Sequence, residues 1–175
     1  MNFYMTQESD SRPAVLFVCL GNICRSPMAE GAFRSAARKA GLEAKVDSVG
    51  TASYHIGESP DPRAIRIARE NGVDIAGLFG RQIQRDDFYV SSHIFALDKA
   101  NLQGIRAHEP RGGTAHVALL NDAVDGLAGR SIEDPYHGDE DDFRRVWEEV
   151  NRAAGALVDR FLAEGSDAHF GPPPQ

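Results

Sequence analysis

Ala14-Val15-Leu16-Phe17-Val18-Cys19-Leu20-Gly21-Asn22-Ile23-Cys24-Arg25-Ser26-Pro27 decides the fold. Its first five residues are a continuous apolar, β-favouring run, the pattern of a strand buried on both faces. Its last two are a helix start, a capping side chain followed by proline at the first helical position. Met28, Ala29, Ala32, Phe33, Ala36 and Ala40 then fall on one helical face, and Gly41 ends the helix. Between strand and helix lie eight residues, Cys19 to Ser26. Strand, tight loop and helix start is the geometry in which successive backbone N–H groups converge on an anion, assisted by the helix dipole.

Outward from that segment, apolar runs alternate with helical periodicity. Further strands are expected at residues 44–49, 93–97 and 115–120. A Gly-, Ser- and Pro-rich loop is expected from Gly50 to Pro62, with a short helix at 64–71 closed by Gly72. Phe143, Val146, Trp147, Val150, Ala154, Leu157, Val158 and Phe161 recur at three and four, which predicts an amphipathic helix over about 140–163. Strands alternating with helices imply βαβ units and a parallel sheet with right-handed crossovers. The reading is a single α/β domain over residues 13–165, with flexible ends at 1–12 and 166–175.

Composition narrows the function. The chain has 175 residues, enough for one domain with a real core, and is 42% hydrophobic and 26% charged. A net charge of −7 argues against broad nucleic-acid binding, so a bound anion needs a local positive site. No stretch approaches the roughly 18 apolar residues of a membrane helix. The start lacks the order of a secretory signal. Cys19 and Cys24 are the only cysteines, which excludes a disulfide framework and favours a reducing cytoplasm.

Cys19 falls at the carboxyl end of the strand, where open α/β sheets place their ligands. The loop amides and Arg25 favour its thiolate, which makes it the candidate nucleophile. Arg25 offers a planar fork to two phosphate oxygens. The backbone of Leu20, Gly21, Asn22, Ile23, Cys24, Arg25 and Ser26 is the expected phosphate cradle. Asn22 suits a positive φ. Ser26 has two compatible tasks, capping the helix and hydrogen-bonding the Cys19 sulfur. Asp134, which precedes Pro135 in the loop after the last expected strand, returns to the Cys19 edge of the sheet. On its own, Asp-Pro is an ordinary turn. Cys19 and Cys24 also make a redox pair conceivable. His93, His108, His116 and His169 show no metal-ligand spacing, and no metal or cofactor is expected.

Cys19-Leu20-Gly21-Asn22-Ile23-Cys24-Arg25-Ser26-Pro27-Met28-Ala29-Glu30-Gly31 resembles the signature of the low-molecular-weight protein tyrosine phosphatases. The likeness continues at Ser59-Pro60-Asp61-Pro62-Arg63, Arg81-Gln82-Ile83, residues 96–102 and Asp134-Pro135-Tyr136, in consistent order over about 14–162. It implies a four-stranded parallel sheet flanked by helices on both faces, a cytosolic enzyme without metal, and phosphomonoester hydrolysis through a phosphocysteine. It makes Cys19 the nucleophile, Arg25 the phosphate ligand and Asp134 the acid and then the base. It has Ser48 and Asn71 bracing Asn22, and gives Asp98 either a place beside the site or only a helix start. Tyr54 and His55, with Tyr136 and His137, would form the cleft rim, and phosphotyrosine proteins would be the substrates. Within the resemblance, arsenate reductases need further cysteines downstream, and phosphoarginine phosphatases carry Thr where this chain has Ile23. A non-catalytic phosphoprotein-binding module would use the same loop, but needs neither Cys19 nor Asp134.

Overall fold

The computed structural model describes residues 10–172. Strands β1 (Ala14–Cys19), β2 (Lys45–Gly50), β3 (His93–Ala96) and β4 (His116–Leu119) alternate with helices α1 (Arg25–Ala40), α2 (Pro62–Glu70), α3 (Asp87–Val90), α4 (Lys99–His108) and α5 (Glu140–Glu164). The sheet has the order β2-β1-β3-β4, and every neighbouring pair is parallel. All four strands therefore end at one edge. No helix of the described residues is long and apolar enough to cross a membrane.

Central strand β1 shows why its run is uninterrupted. Val15, Phe17 and Cys19 face the core built with α1, α2 and α5. Leu16 and Val18 face a second core containing Phe88 of α3 and Ile105 of α4. Helices thus cover both faces, and each expected strand and long helix is present with its ends shifted by one or two residues.

Helix starts follow local side-chain chemistry. Asp61 accepts from the Arg63 amide at 2.8 Å with Pro62 at the first position of α2. Asp139 and Asp142 form a reciprocal pair at the start of α5. Helix α1 departs from expectation. It begins at Arg25, with Cys24 at the cap position and no side-chain cap. Ser26 is already inside the first turn, so its hydroxyl is turned towards the loop and is not the cap.

Two ends of the chain were expected to be loose. Residues 1–9 and 173–175 lie outside the described residues. Up to Phe170 the expectation is corrected. After a 3₁₀ turn at Gly165–Asp167, Ala168 and Phe170 are buried in the main core. Two imidazoles hold this segment: His93 Nε2 lies 2.6 Å from the Ala168 carbonyl and His116 Nε2 lies 2.8 Å from that of Phe170. The inward aromatic and these carbonyl bonds outweigh the Gly and Pro composition that read as a tail.

One close approach positions the site. A Cβ on Gly50, at the end of β2, would lie 2.7 Å from the Leu20 carbonyl oxygen and 3.2 Å from the Gly21 carbonyl carbon. Only glycine lets the end of β2 lie against the loop after β1. Gly50→Ala should displace the loop and lower kcat/KM for the aryl-phosphate hydrolysis that the resemblance implies by about tenfold or more, since displacements near 1 Å cost up to about 10²-fold. Steady-state kinetics on a variant with intact circular dichroism checks this; unchanged kinetics would show that the loop yields without cost.

His93 is buried against Phe95, Phe161 and Phe170. Burial, and then the neighbouring His116 and His169, hold its imidazole below the ordinary range, against the opposing pull of the Ala168 carbonyl and Asp167. His116 is lowered likewise, by burial first. A group whose folded pKa is depressed gives its full stability above the unfolded value, near 6.5, and loses it as pH falls below that value. The thermal midpoint of wild type should drop between about pH 7.5 and about pH 5.5, and less steeply in His93→Gln. An equal pH slope in both proteins would remove His93 as a source.

Candidate active site

The loop after β1 closes around the Cys19 sulfur. Cys19 is 3% exposed, and its Sγ lies 3.0 Å from Ser26 Oγ. The Asn22 amide donates to the same sulfur at 3.3 Å. The turn needs one left-handed residue, and Asn22 supplies it with φ 58, the only positive φ outside glycine among the described residues. The amides of Gly21, Ile23 and Cys24 have no protein acceptor among the described residues. They are donors left for an anion.

Behind the loop, a chain of hydrogen bonds fixes Asn22. Its Nδ2 donates to Ser26 Oγ at 2.8 Å and to Ser48 Oγ at 3.0 Å. Its Oδ1 accepts from the Arg81 amide at 3.1 Å. Ser48 Oγ donates onward to Glu30 Oε1 at 2.8 Å, and Glu30 pairs with Arg34 at 2.7 Å. Burial raises the Glu30 pKa, while Ser48 and Arg34 pull it back. Because Ser26 Oγ accepts from Asn22, its one proton has two acceptors in reach, the sulfur at 3.0 Å and the Val49 carbonyl at 3.4 Å, and the sulfur is the nearer.

Ser48 therefore braces Asn22, whereas Asn71 does not. Asn71 is exposed beyond α2 and spends its amide on the Ile67 carbonyl at 2.9 Å. The Arg81 backbone fills the third position. Glu30 and Arg81 were missed in the sequence because one reads as a helix residue and the other acts through its main chain.

Arg25 is 2% exposed. Its Nη1 donates to Asp98 Oδ2 at 2.6 Å and to the Ile132 carbonyl at 2.9 Å. Its Nη2 lies 3.5 Å from Asp134 Oδ2. Burial opposes the guanidinium charge, but Cys19, Asp98 and Asp134 together raise its pKa above the ordinary value. Both readings of Asp98 hold at once, because its other oxygen caps α4 by accepting from the Asn101 amide at 2.6 Å. Cys24, by contrast, is buried, and burial followed by the charges of Asp61, Cys19 and Asp134 pushes its thiol well up. Of the two cysteines, only Cys19 has the donors an anionic sulfur needs.

These groups open on a cleft of about 240 Å³ lined by Cys19, Ile23, Cys24, Arg25, Asp134 and a rim of aromatic and histidine side chains. That is below the roughly 300 Å³ of drug-sized pockets, so it takes one ring-sized group and its phosphate. Tyr54, His55, Tyr136 and His137 form the rim with Leu20 and Gly21, and a Cβ on Gly21 would lie 3.0 Å from the His55 ring. His55, expected at the rim, is there, and its Nδ1 is held at 2.6 Å by Glu58. Asn22 and Ser26 do not line the cleft; they stand behind the sulfur. Among the described residues no group of three or more His, Cys, Asp or Glu side chains is arranged to hold a metal ion.

Comparison with known proteins agrees with this geometry. Residues 14–167 match the model of the low molecular weight phosphotyrosine protein phosphatases. The low molecular weight phosphotyrosine protein phosphatase of Schizosaccharomyces pombe is 44% identical over 132 residues, covering 74% of this chain and 84% of that protein. The crystal structure of YfkJ from Bacillus subtilis aligns with a TM-score of 0.81 at 35% identity, over 89% of this chain and 98% of that one. DARP, a drosophila arginine phosphatase, aligns with a TM-score of 0.78 at 30% identity, over 86% and 98% of the two chains. A four-stranded parallel sheet, a sulfur-centred loop and a family match over residues 14–167 lead to one assignment: the chain belongs to the low molecular weight phosphotyrosine protein phosphatase family.

Proposed function

We propose that this enzyme hydrolyses phosphotyrosine in proteins and peptides, with Cys19, Arg25 and Asp134 as its catalytic residues. The carrying observation is the convergence of the Cys19 sulfur, three unpaired loop amides, the Arg25 fork and the Asp134 carboxyl in one small cleft. The phosphate sits on the amides of Gly21, Ile23 and Cys24 and on Arg25. Cys19 Sγ attacks phosphorus in line, and the P–O bond to the tyrosine ring breaks with its electron pair going to oxygen. Asp134, entering as the acid, gives that oxygen its proton. Water then attacks the phosphocysteine, Asp134 takes the water proton, and phosphate and the Cys19 thiolate are released. Arg25 follows the equatorial oxygens in both steps. A thiol mechanism and two free cysteines suit a reducing compartment, so the cytoplasm is the proposed location.

The rival chemistries have less support. Arsenate reduction by a disulfide relay needs cysteines after Cys24, and the sequence has none. A binding module leaves the Asp134 carboxyl at the cleft without a task. Cys19→Ser should abolish turnover of an aryl phosphate. Asp134→Asn should slow substrates with poor leaving groups by about 10²–10⁴-fold and activated aryl phosphates much less. Equal losses on both substrate types would remove Asp134 from the acid role.

Likeness to an arginine phosphatase supports one second reading, phosphoarginine as substrate. Ile23 opposes it. Its side chain lines the cleft, is 9% exposed and offers no hydrogen bond to a guanidinium. Each buried N–H left unpaired costs about 1–3 kcal/mol, whereas a tyrosine ring asks only for apolar contact. Wild type should therefore have a higher kcat/KM on phosphotyrosine peptides than on matched phosphoarginine peptides. Ile23→Thr should narrow the ratio by roughly five- to hundredfold. A wild-type preference for phosphoarginine would overturn the substrate and leave the cysteine mechanism standing.

A further inference from the structure

We propose that Arg63 is the positioning residue for the general acid, fixing the backbone that follows Asp134 from the segment that also holds the phosphate loop. The inference rests on the acid role proposed for Asp134. That side chain needs outside help, because it is 44% exposed. Among the described residues its carboxylate is restrained only by the Tyr136 amide at 3.1 Å and by the long approach to Arg25. Its aim must come from the main chain on either side.

On the near side, the Ile132 carbonyl is held by Arg25, and the Ile132 amide donates to the Leu97 carbonyl at 2.8 Å. On the far side the anchor is Arg63. Its Nη2 donates to the Tyr136 carbonyl at 3.0 Å and its Nη1 to the Gly138 carbonyl at 3.2 Å. Asp134 thus lies midway between two carbonyls, two residues before and two residues after it, each held by an arginine.

Arg63 is itself fixed. Asp61 takes its Nε at 3.0 Å and its Nη2 at 2.9 Å, a two-pronged pair, and also accepts its amide. The guanidinium stacks on Phe143 with Cζ 4.4 Å from the ring centroid. The Asp61 amide donates to the Ile23 carbonyl at 2.8 Å, in the middle of the phosphate loop. One three-residue segment, Asp61-Pro62-Arg63, therefore sets the distance between the cradle and the acid. A lysine could not reproduce this, because a single ammonium cannot serve two carboxylate oxygens and two carbonyls in one plane.

The test compares wild type, Arg63→Ala, Arg63→Lys, Asp134→Asn and the Arg63→Ala/Asp134→Asn double variant. Each is assayed on a poor-leaving-group aryl phosphate and on an activated one, with inhibition by inorganic phosphate and the thermal midpoint measured alongside. A positional error near 1 Å costs up to about 10²-fold, so Arg63→Ala should lose about 10- to 100-fold on the poor leaving group. It should lose far less on the activated one, and inhibition by phosphate should be unchanged. Arg63→Lys, which keeps the charge and aliphatic stem, should show the same selectivity in weaker form and carries the comparison if Arg63→Ala does not fold. In the Asp134→Asn background the Arg63 change should add little. Equal losses on both substrates, weakened phosphate inhibition, or full additivity with Asp134→Asn would overturn the inference while leaving the acid role intact. Asp134→Asn without leaving-group selectivity would overturn both.

Discussion

A guanidinium that is 2% exposed must be paired, and Arg25 imposes that demand on everything around it. Removing one partner of such a buried pair costs about 3–5 kcal/mol, because it leaves an uncompensated charge. The partners come from separate parts of the chain: Asp98 from the end of β3, the Ile132 carbonyl from the segment after β4, and Asp134 from the loop beyond it. Only a parallel sheet delivers all of them to the edge where β1 ends. Pairing also leaves the site poised. Nη1 is spent on structure, whereas Nε has no acceptor among the described residues and Nη2 has only the distant Asp134. The local positive site that a chain of net charge −7 needs is thus built from one half of one side chain, aided by three unpaired amides.

The loop itself is held from behind. Arg34, Glu30, Ser48, Asn22, Ser26 and Cys19 form an unbroken series of polar contacts from the surface to the sulfur. Both hydroxyls in the series accept from Asn22, which leaves the Ser48 proton for Glu30 and the Ser26 proton for the sulfur at 3.0 Å or the Val49 carbonyl at 3.4 Å. Such a network is rigid only when every member is satisfied. Here it keeps Asn22 in its left-handed conformation and the amides aimed before substrate arrives, which is where preorganised sites gain their advantage over water.

Much of this was legible in the sequence, for local reasons. The strand, the loop and the helix are contiguous, so apolar run, Cys, Gly, Asn, Arg, Ser and Pro could be read as one unit. The same locality misled at Ser26. Its place before Pro27 is that of a cap, yet helix α1 starts two residues before Pro27, and of its two expected tasks only the contact with the sulfur is met. Glu30 could not be found, because its partner Ser48 belongs to another strand. Asn71 carried an expectation that α2 cancels by using its amide for a helix carbonyl. Residues 168–170 look like a tail because Gly and Pro follow them, and only the sheet edge reveals that His93 and His116 hold them. At Asp98 and Asp134 the local turn or cap that the sequence offers goes together with a contact to Arg25. Each carboxylate uses one oxygen for a local turn or cap and the other for Arg25.

That division of labour explains why so few side chains suffice. Cys19 and its cradle sit on β1 and α1, at the centre of the sheet, whereas Asp134 sits on an exposed loop with no strand of its own. A donor on such a loop is useful only if its distance from the sulfur is set by something stiffer than the loop. Two arginines supply this from opposite sides, Arg25 through the Ile132 carbonyl and Arg63 through those of Tyr136 and Gly138. Both are planar forks already committed to a carboxylate, Asp98 for one and Asp61 for the other. Main-chain carbonyls are present whatever the side chain, so the anchors place no demand on the residues between them. Tyr136 and His137 are therefore free to shape the rim without disturbing the aim of the proposed acid.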